Sequence, residues 1–146
     1  MEPRDIAVAL ARGRIALGIA ALAAPSAGAR AMFGRGAGRG TAALIRMLGG
    51  RDLALGLGVV IALDRGAPVR GWLEACGLAD TVDLIGCTLA RDDIPATALA
   101  PTVVLAGASA LAHTWLSRQL DPPPAASPGH PEAVATGHSP EPAAAG

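Results

Sequence analysis

The sequence predicts an all-α protein: a four-transmembrane-helix bundle over residues 1–120, followed by a disordered Pro/Ala-rich tail over 121–146. Three observations predict it. Hydrophobic residues make up 51% of the 146, and the mean hydropathy of +0.42 is high for a domain that must cover its surface with charge. The apolar residues fall into four stretches, each close to the ~20 residues that a helix needs to cross a bilayer core. Leu, Ala and Gly dominate those stretches, which suits long helices better than strands.

The expected helices run at about 6–24, 41–63, 72–90 and 94–117. Residues 6–24 (IAVALARGRIALGIAALAA) form the first and are closed by Pro25, Ser26 and Gly28. A Gly/Arg-rich turn, FGRGAGRG at 33–40, leads into the second, which stops at Asp64, Gly66 and Pro68. Arg91, Asp92, Asp93 and Pro95 part the third from the fourth, and residues 94–117 carry no formal charge. Abundant small residues fit close packing in lipid, where backbone approach replaces the hydrophobic drive between helices. From Asp121 onward the chain holds seven of its twelve prolines, one β-branched aliphatic residue and no aromatic. Such a segment cannot bury enough apolar surface to offset the entropy of ordering it.

All twelve cations are arginine, and twelve acids bring the formal net charge to zero. That balance excludes a basic nucleic-acid binder, which needs a positive surface to displace counterions from phosphates. The zero is itself composite. Residues 1–120 hold twelve arginines and nine acids, a net of +3, and the tail holds three acids, Asp121, Glu132 and Glu141, and no cation.

Charges inside three of the apolar stretches are the obstacle to a membrane reading, because an unpaired charge at the bilayer centre costs roughly 2.5–3.5 kcal/mol on insertion scales. Depth supplies the answer. Arg14, the pair Arg51 and Asp52, and the pair Asp80 and Asp83 all lie near the midpoints of their segments, at residues 15, 53 and 81. In an antiparallel bundle they can meet as an intramembrane charge cluster, Arg14, Arg51, Asp52, Asp80 and Asp83, with arginine forking onto carboxylates. A soluble bundle explains the same charges as ordinary surface residues of amphipathic helices.

On the third helix Cys76, Asp80, Asp83 and Cys87 fall within one 60° stripe, and Glu74 points elsewhere. The two cysteines are about 16 Å apart along such a helix, which forbids both a shared ion and a disulfide between them. No metal site or cofactor is therefore expected, and the stripe reads as a polar seam whose acids pair with Arg14 and Arg51. A solute or proton path is the functional alternative for acids inside a membrane. Neither GGRDLALGLG (49–58) nor GRGAGRG (34–40) satisfies a dinucleotide or P-loop pattern. Arginines of the 33–40 turn can touch lipid phosphates, although solvation is the simpler reading. Gly49-Gly50 lets a neighbouring helix approach or bends its own. His113 reads as interfacial, and no Ser or Cys is expected near a His in the folded part. No nucleophile motif occurs, and the expectation is a non-enzyme. Residues 12–29 also approximate a signal peptide ending before Arg30.

These residues carry a resemblance. R-I-A-L-G (14–18) with A-A-P (23–25), L-G-G-R-D-L-A-L-G-L-G (48–58), and R-G-W-L-E with L-A-D-T-V-D (70–83) resemble a domain-of-unknown-function family of small actinobacterial integral membrane proteins, over roughly residues 10–118. A more distant likeness to DoxX-type four-helix membrane proteins rests on the Arg-x-x-Leu-Gly opening. The resemblance implies four transmembrane helices and no assigned activity. The expected setting is multi-pass in a bacterial cytoplasmic membrane, with the lipid bilayer as partner, a homo-oligomer or membrane-protein partner as a further option, and no nucleic acid. The expected role is an accessory or assembly bundle held by the Arg/Asp cluster. A small-solute or proton-coupled transporter using Asp80 and Asp83 is the competing class, and a soluble ligand-binding bundle the third.

Overall fold

A computed structural model describes residues 1–120, and every regular element among them is an α-helix. Helix α1 spans Pro3–Ala23, α2 Pro25–Phe33, α3 Arg39–Asp64, α4 Arg70–Leu89 and α5 Ala96–Leu120. The tail expected over 121–146, with His130 and His138, lies outside the described residues.

Four of these helices are the four expected, with ends shifted by a few residues. The fifth, α2, corrects the expectation that Pro25, Ser26 and Gly28 only close a span. Ala24 leaves the helical region (φ −131°, ψ 54°), and Pro25 then stands at the first position of a nine-residue helix. The residue before a proline is pushed away from the α region. Proline itself, with φ preset and no N–H to lose, is well suited to begin a helix. One proline thus ends α1 and starts α2. Gly34 ends α2 with φ +82°, a conformation that disfavours any residue with a Cβ.

Helices α1 and α3 pack closely along most of their length, as do α4 and α5, whereas contact between the two pairs is sparse. The α1–α3 seam follows a spacing of three and four residues: Ala7, Ala11, Arg14 and Gly18 on α1, and Ala42, Ile45, Gly49, Gly56, Val59 and Leu63 on α3. Its glycines are required by space. A Cβ at Gly18 would stand 2.7 Å from the Gly49 carbonyl oxygen, and one at Gly56 2.8 Å from that of Ala11. Gly49 thus allows the approach foreseen for Gly49-Gly50, while Gly50 has nothing within 4 Å. At the far end Arg4 donates to the Leu63 carbonyl at 2.7 Å, satisfying one of the acceptors that a helix leaves open at its C-terminus.

The antiparallel course sets up two unlike halves. In the half holding the N-terminus, Ala7, Ala11, Val59, Leu63, Leu73 and Leu116 form a closed apolar core. In the other half, which holds α2 and the α4–α5 turn, the helix pairs part and leave a lateral cavity of about 840 Å³. The charged residues of the interior lie where the two halves meet.

Two described helices, α1 and α5, are long and apolar enough to cross a membrane by length and composition alone. Helices α3 and α4, of 26 and 20 residues, reach roughly 39 and 30 Å at 1.5 Å per residue, the latter about the thickness of a hydrocarbon core. What sets them apart is charge. Every 18-residue window of α3 contains Arg51 and Asp52 together with Arg46 or Asp64, and every such window of α4 contains Glu74, Asp80 and Asp83.

Candidate functional site

The five residues singled out from the sequence come together in one layer. Arg14 on α1 donates through Nη1 to Asp52 Oδ1 on α3 at 2.8 Å, and through Nη2 to both carboxylate oxygens of Asp80 on α4 at 2.5 and 2.6 Å. Arg51 on α3 forks onto Asp83 of α4, Nη1 to Oδ1 at 2.8 Å and Nη2 to Oδ2 at 2.6 Å. The same guanidinium reaches back to Asp52 Oδ1, with Nη2 at 3.0 Å. Asp52 is therefore the hinge of the layer, taking one arginine from each of α1 and α3. Charged hydrogen bonds of this kind are shorter and roughly twice as strong as neutral ones.

The layer is graded in depth. Arg14 and Asp80 are 7% and 6% exposed. Arg51 and Asp83 are each 30% exposed at the side chain and line the lateral cavity. Glu74 stays apart, as its helical angle requires, and pairs with Arg70 at 2.6 Å on the outer face. Arg12 and Arg46 are exposed and belong to no part of the layer.

Two further members were not foreseen, and both sit on α5. The Ser109 hydroxyl donates to Asp80 Oδ2 at 2.7 Å. His113 is buried, not interfacial as expected, and its Nδ1 lies 2.8 Å from the Ser109 carbonyl oxygen and 3.5 Å from Asp80 Oδ2. The reason is register. Ser109 and His113 are four residues apart, hence on the same face of α5, and that face is the one packed on α4. The expectation that no Ser accompanies a His in the folded part is thereby corrected. The Ser109 hydroxyl also lies 3.2 Å from His113 Nδ1, longer than its 2.7 Å bond to Asp80. A carbonyl oxygen can only accept, so the short contact to Ser109 puts a proton on Nδ1, and the Ser109 proton is directed to Asp80. A serine nucleophile instead needs its hydroxyl to donate to an unprotonated ring nitrogen.

All four long helices therefore contribute to one polar network, in which two guanidiniums face three carboxylates and His113 adds a positive charge only when protonated. No buried side-chain nitrogen or oxygen among the described residues is without a partner. Cys76 and Cys87 are free and buried on the seam predicted for them. No group of three or more His, Cys, Asp or Glu side chains among the described residues is placed to hold a metal ion. The arrangement fixes the helix pairs to one another where the apolar core of the N-terminal half gives way to the cavity, and it presents Arg51 and Asp83 to that cavity. No protein-family profile, curated protein or solved structure matches the chain.

Proposed function

We propose that the chain is a multi-pass integral membrane protein in which α1, α3, α4 and α5 all cross the bilayer, and that the Arg/Asp layer is the clasp joining its two helix pairs. One observation carries this reading: charge is buried inside the bundle while large apolar side chains lie outside it. Arg14, Asp80 and His113 are buried, while Met47, Leu78, Leu89, Val104, Leu105 and Leu111, from α3, α4 and α5, are each more than 60% exposed. Water would penalise that exterior, whereas hydrocarbon would not. Paired and hydrogen-bonded, Arg51, Asp52, Asp80 and Asp83 no longer forbid the passage of α3 and α4. The role is that of a non-enzymatic accessory or assembly bundle in a bacterial cytoplasmic membrane, in line with the resemblance to small four-helix actinobacterial membrane proteins.

Carbonate extraction tests the membrane assignment directly. The protein is expected in the pellet after washing at high pH, and release into the supernatant would sink the reading in favour of a soluble bundle.

A second reading, a small-solute or proton-coupled carrier, is favoured by the 840 Å³ cavity that ends on Arg51, Asp83 and Asp80. Acids at the floor of a membrane cavity are the usual material of a transport path. Under this reading Asp80→Asn and Asp83→Asn variants accumulate normally and lose a pH-dependent flux in proteoliposomes. Under the assembly reading the same variants accumulate poorly.

A further inference from the structure

A second cavity among the described residues lies at the end of the bundle that holds α2, and its chemistry differs from that of the layer. It measures about 360 Å³ and is lined by Arg30 of α2, Arg35 of the 34–38 loop, and Arg39 and Arg46 of α3, with small residues between them and no acid. None of these four arginines makes an ion pair or a side-chain hydrogen bond with any described residue. The acids at the same end, Asp92 and Asp93, do not line the cavity, and Arg91 lies 3.8 Å from Asp92.

Three local features make the arginines converge. The break at Ala24 lays α2 beside the first turns of α3, so close that a Cβ at Gly28 would stand 3.0 Å from Ile45 Cγ2. That places Arg30 opposite α3. Gly34, with φ +82°, turns the chain sharply after α2 and returns Arg35 to the same cavity. Arg39 and Arg46 are seven residues apart, hence on one face of α3 and about 10 Å apart along its axis. The four arginines are exposed around an open cavity, where water screens their mutual repulsion and an anion can enter among them. The group that suits a set of guanidiniums best is a phosphoryl group, whose oxygens take their forked donors two at a time. The volume admits a phosphoryl group together with its ester substituent.

We infer that the Arg30/Arg35/Arg39/Arg46 cavity is a binding site for a phosphate ester. Two sources share that chemistry: the headgroup of an anionic phospholipid, and a soluble phosphate. The lipid source rests on the membrane reading above, because only a spanning bundle holds this end at headgroup depth, with Arg46 reaching up from the first turns of α3. The soluble source does not depend on it.

The test uses the full chain purified in a zwitterionic detergent. Titration calorimetry compares short-chain phosphatidylglycerol, short-chain phosphatidylcholine and glycerol phosphate. Phosphatidylglycerol is expected to bind at least about tenfold more tightly than phosphatidylcholine, which has the same phosphate but cancels it with choline. The double variant Arg39→Gln/Arg46→Gln is expected to lose about tenfold or more in affinity for the anionic ligand. Arg30→Gln/Arg35→Gln, changed on different elements, is expected to do the same, so that misfolding of one variant leaves the other decisive. Circular dichroism of the variants should match the parent. Glycerol phosphate competing as well as the lipid assigns the site to a soluble phosphate; competition by the lipid alone assigns it to the membrane. Equal binding of the two lipids with no binding of glycerol phosphate overturns the inference. So does parent-like affinity in both well-folded double variants. A protein released by carbonate that still binds glycerol phosphate separates failure of the membrane reading from failure of the site.

Discussion

Arg14 and Asp80 stand 66 residues apart in the chain and meet through Nη2 at 2.5 and 2.6 Å from the two carboxylate oxygens, the most deeply buried arginine–carboxylate pair among the described residues. They belong to different helix pairs, and the packing between those pairs is thin. Removing one member leaves the other buried with only part of its partners, Asp52 for Arg14 and Ser109 for Asp80, a loss towards the lower end of the about 3–5 kcal/mol typical of a broken buried pair. Asp80→Ala and Arg14→Ala are each expected to lower membrane accumulation sharply and to depress the thermal midpoint in detergent. Replacing both, as Arg14→Met with Asp80→Leu, is expected to recover only part of the loss, since apolar residues can substitute for a buried pair but Asp52 and Ser109 each lose a partner. A double variant less stable than either single one would show that the bonds to Asp52 and Ser109 outweigh the Arg14–Asp80 pair itself.

The pair beside it should behave differently. Arg51 and Asp83 have the better fork but are each 30% exposed to the cavity, so water can reach a partner left alone. Arg51→Ala and Asp83→Ala are expected to cost about 1–2 kcal/mol, less than the changes at Arg14 and Asp80. Ser109→Ala removes a single hydrogen bond to Asp80 and is expected to cost about 1 kcal/mol. Chemical or thermal unfolding in one detergent ranks the five single variants, and the order is what matters. Asp83→Ala at least as damaging as Asp80→Ala would contradict the depth grading.

Much of this layer is legible in the sequence alone. A charge within an apolar run is conspicuous, and helical geometry converts the positions of Arg14, Arg51, Asp52, Asp80 and Asp83 into a common depth. Opposite signs on neighbouring segments then indicate which residues should pair. Ser109 and His113 were not legible in the same way, because small neutral polar residues are common in apolar helices and carry no sign to match. Their i, i+4 spacing was the available signal, and only the packing of α4 on α5 shows that this face turns inward. Helix α2 was hidden for a different reason. Pro25 is both a helix breaker and a good first helical residue, and nine residues are too few to show a period.

The glycines of the α1–α3 seam yield a paired prediction that is independent of charge. Gly49→Ala would place a methyl group 2.7 Å from the Ala21 side chain and 2.9 Å from the Gly18 carbonyl oxygen. Since the nearest groups include backbone, α1 and α3 must separate, and the expected loss is about 1–3 kcal/mol. Gly50→Ala, one residue later in the same helix, meets nothing within 4 Å and removes a flexible residue from a helix interior. It is expected to stabilise the protein by roughly 0.5–1 kcal/mol. Thermal midpoints in the same detergent compare the two. Equal effects would show that the close approach of the helices does not govern stability.

The number of membrane crossings can be read from the sidedness of three loops. With α1, α3, α4 and α5 all spanning, Gly36 and Asp92 lie on one side of the membrane, and Ala67, between α3 and α4, lies on the other. With only the two most apolar helices, α1 and α5, spanning, all three residues lie on the same side. Single cysteines introduced as Gly36→Cys, Ala67→Cys and Asp92→Cys sit at turns, away from the ion pairs of the layer. The native Cys76 and Cys87 are buried and should contribute little background. An impermeant maleimide applied to intact cells and to inverted vesicles is expected to label Gly36→Cys and Asp92→Cys in one preparation and Ala67→Cys in the other. Labelling of all three in the same preparation would leave α3 and α4 outside the bilayer core. The Arg51–Asp83 pair would then be the surface feature of a soluble-facing hairpin and not part of an intramembrane clasp.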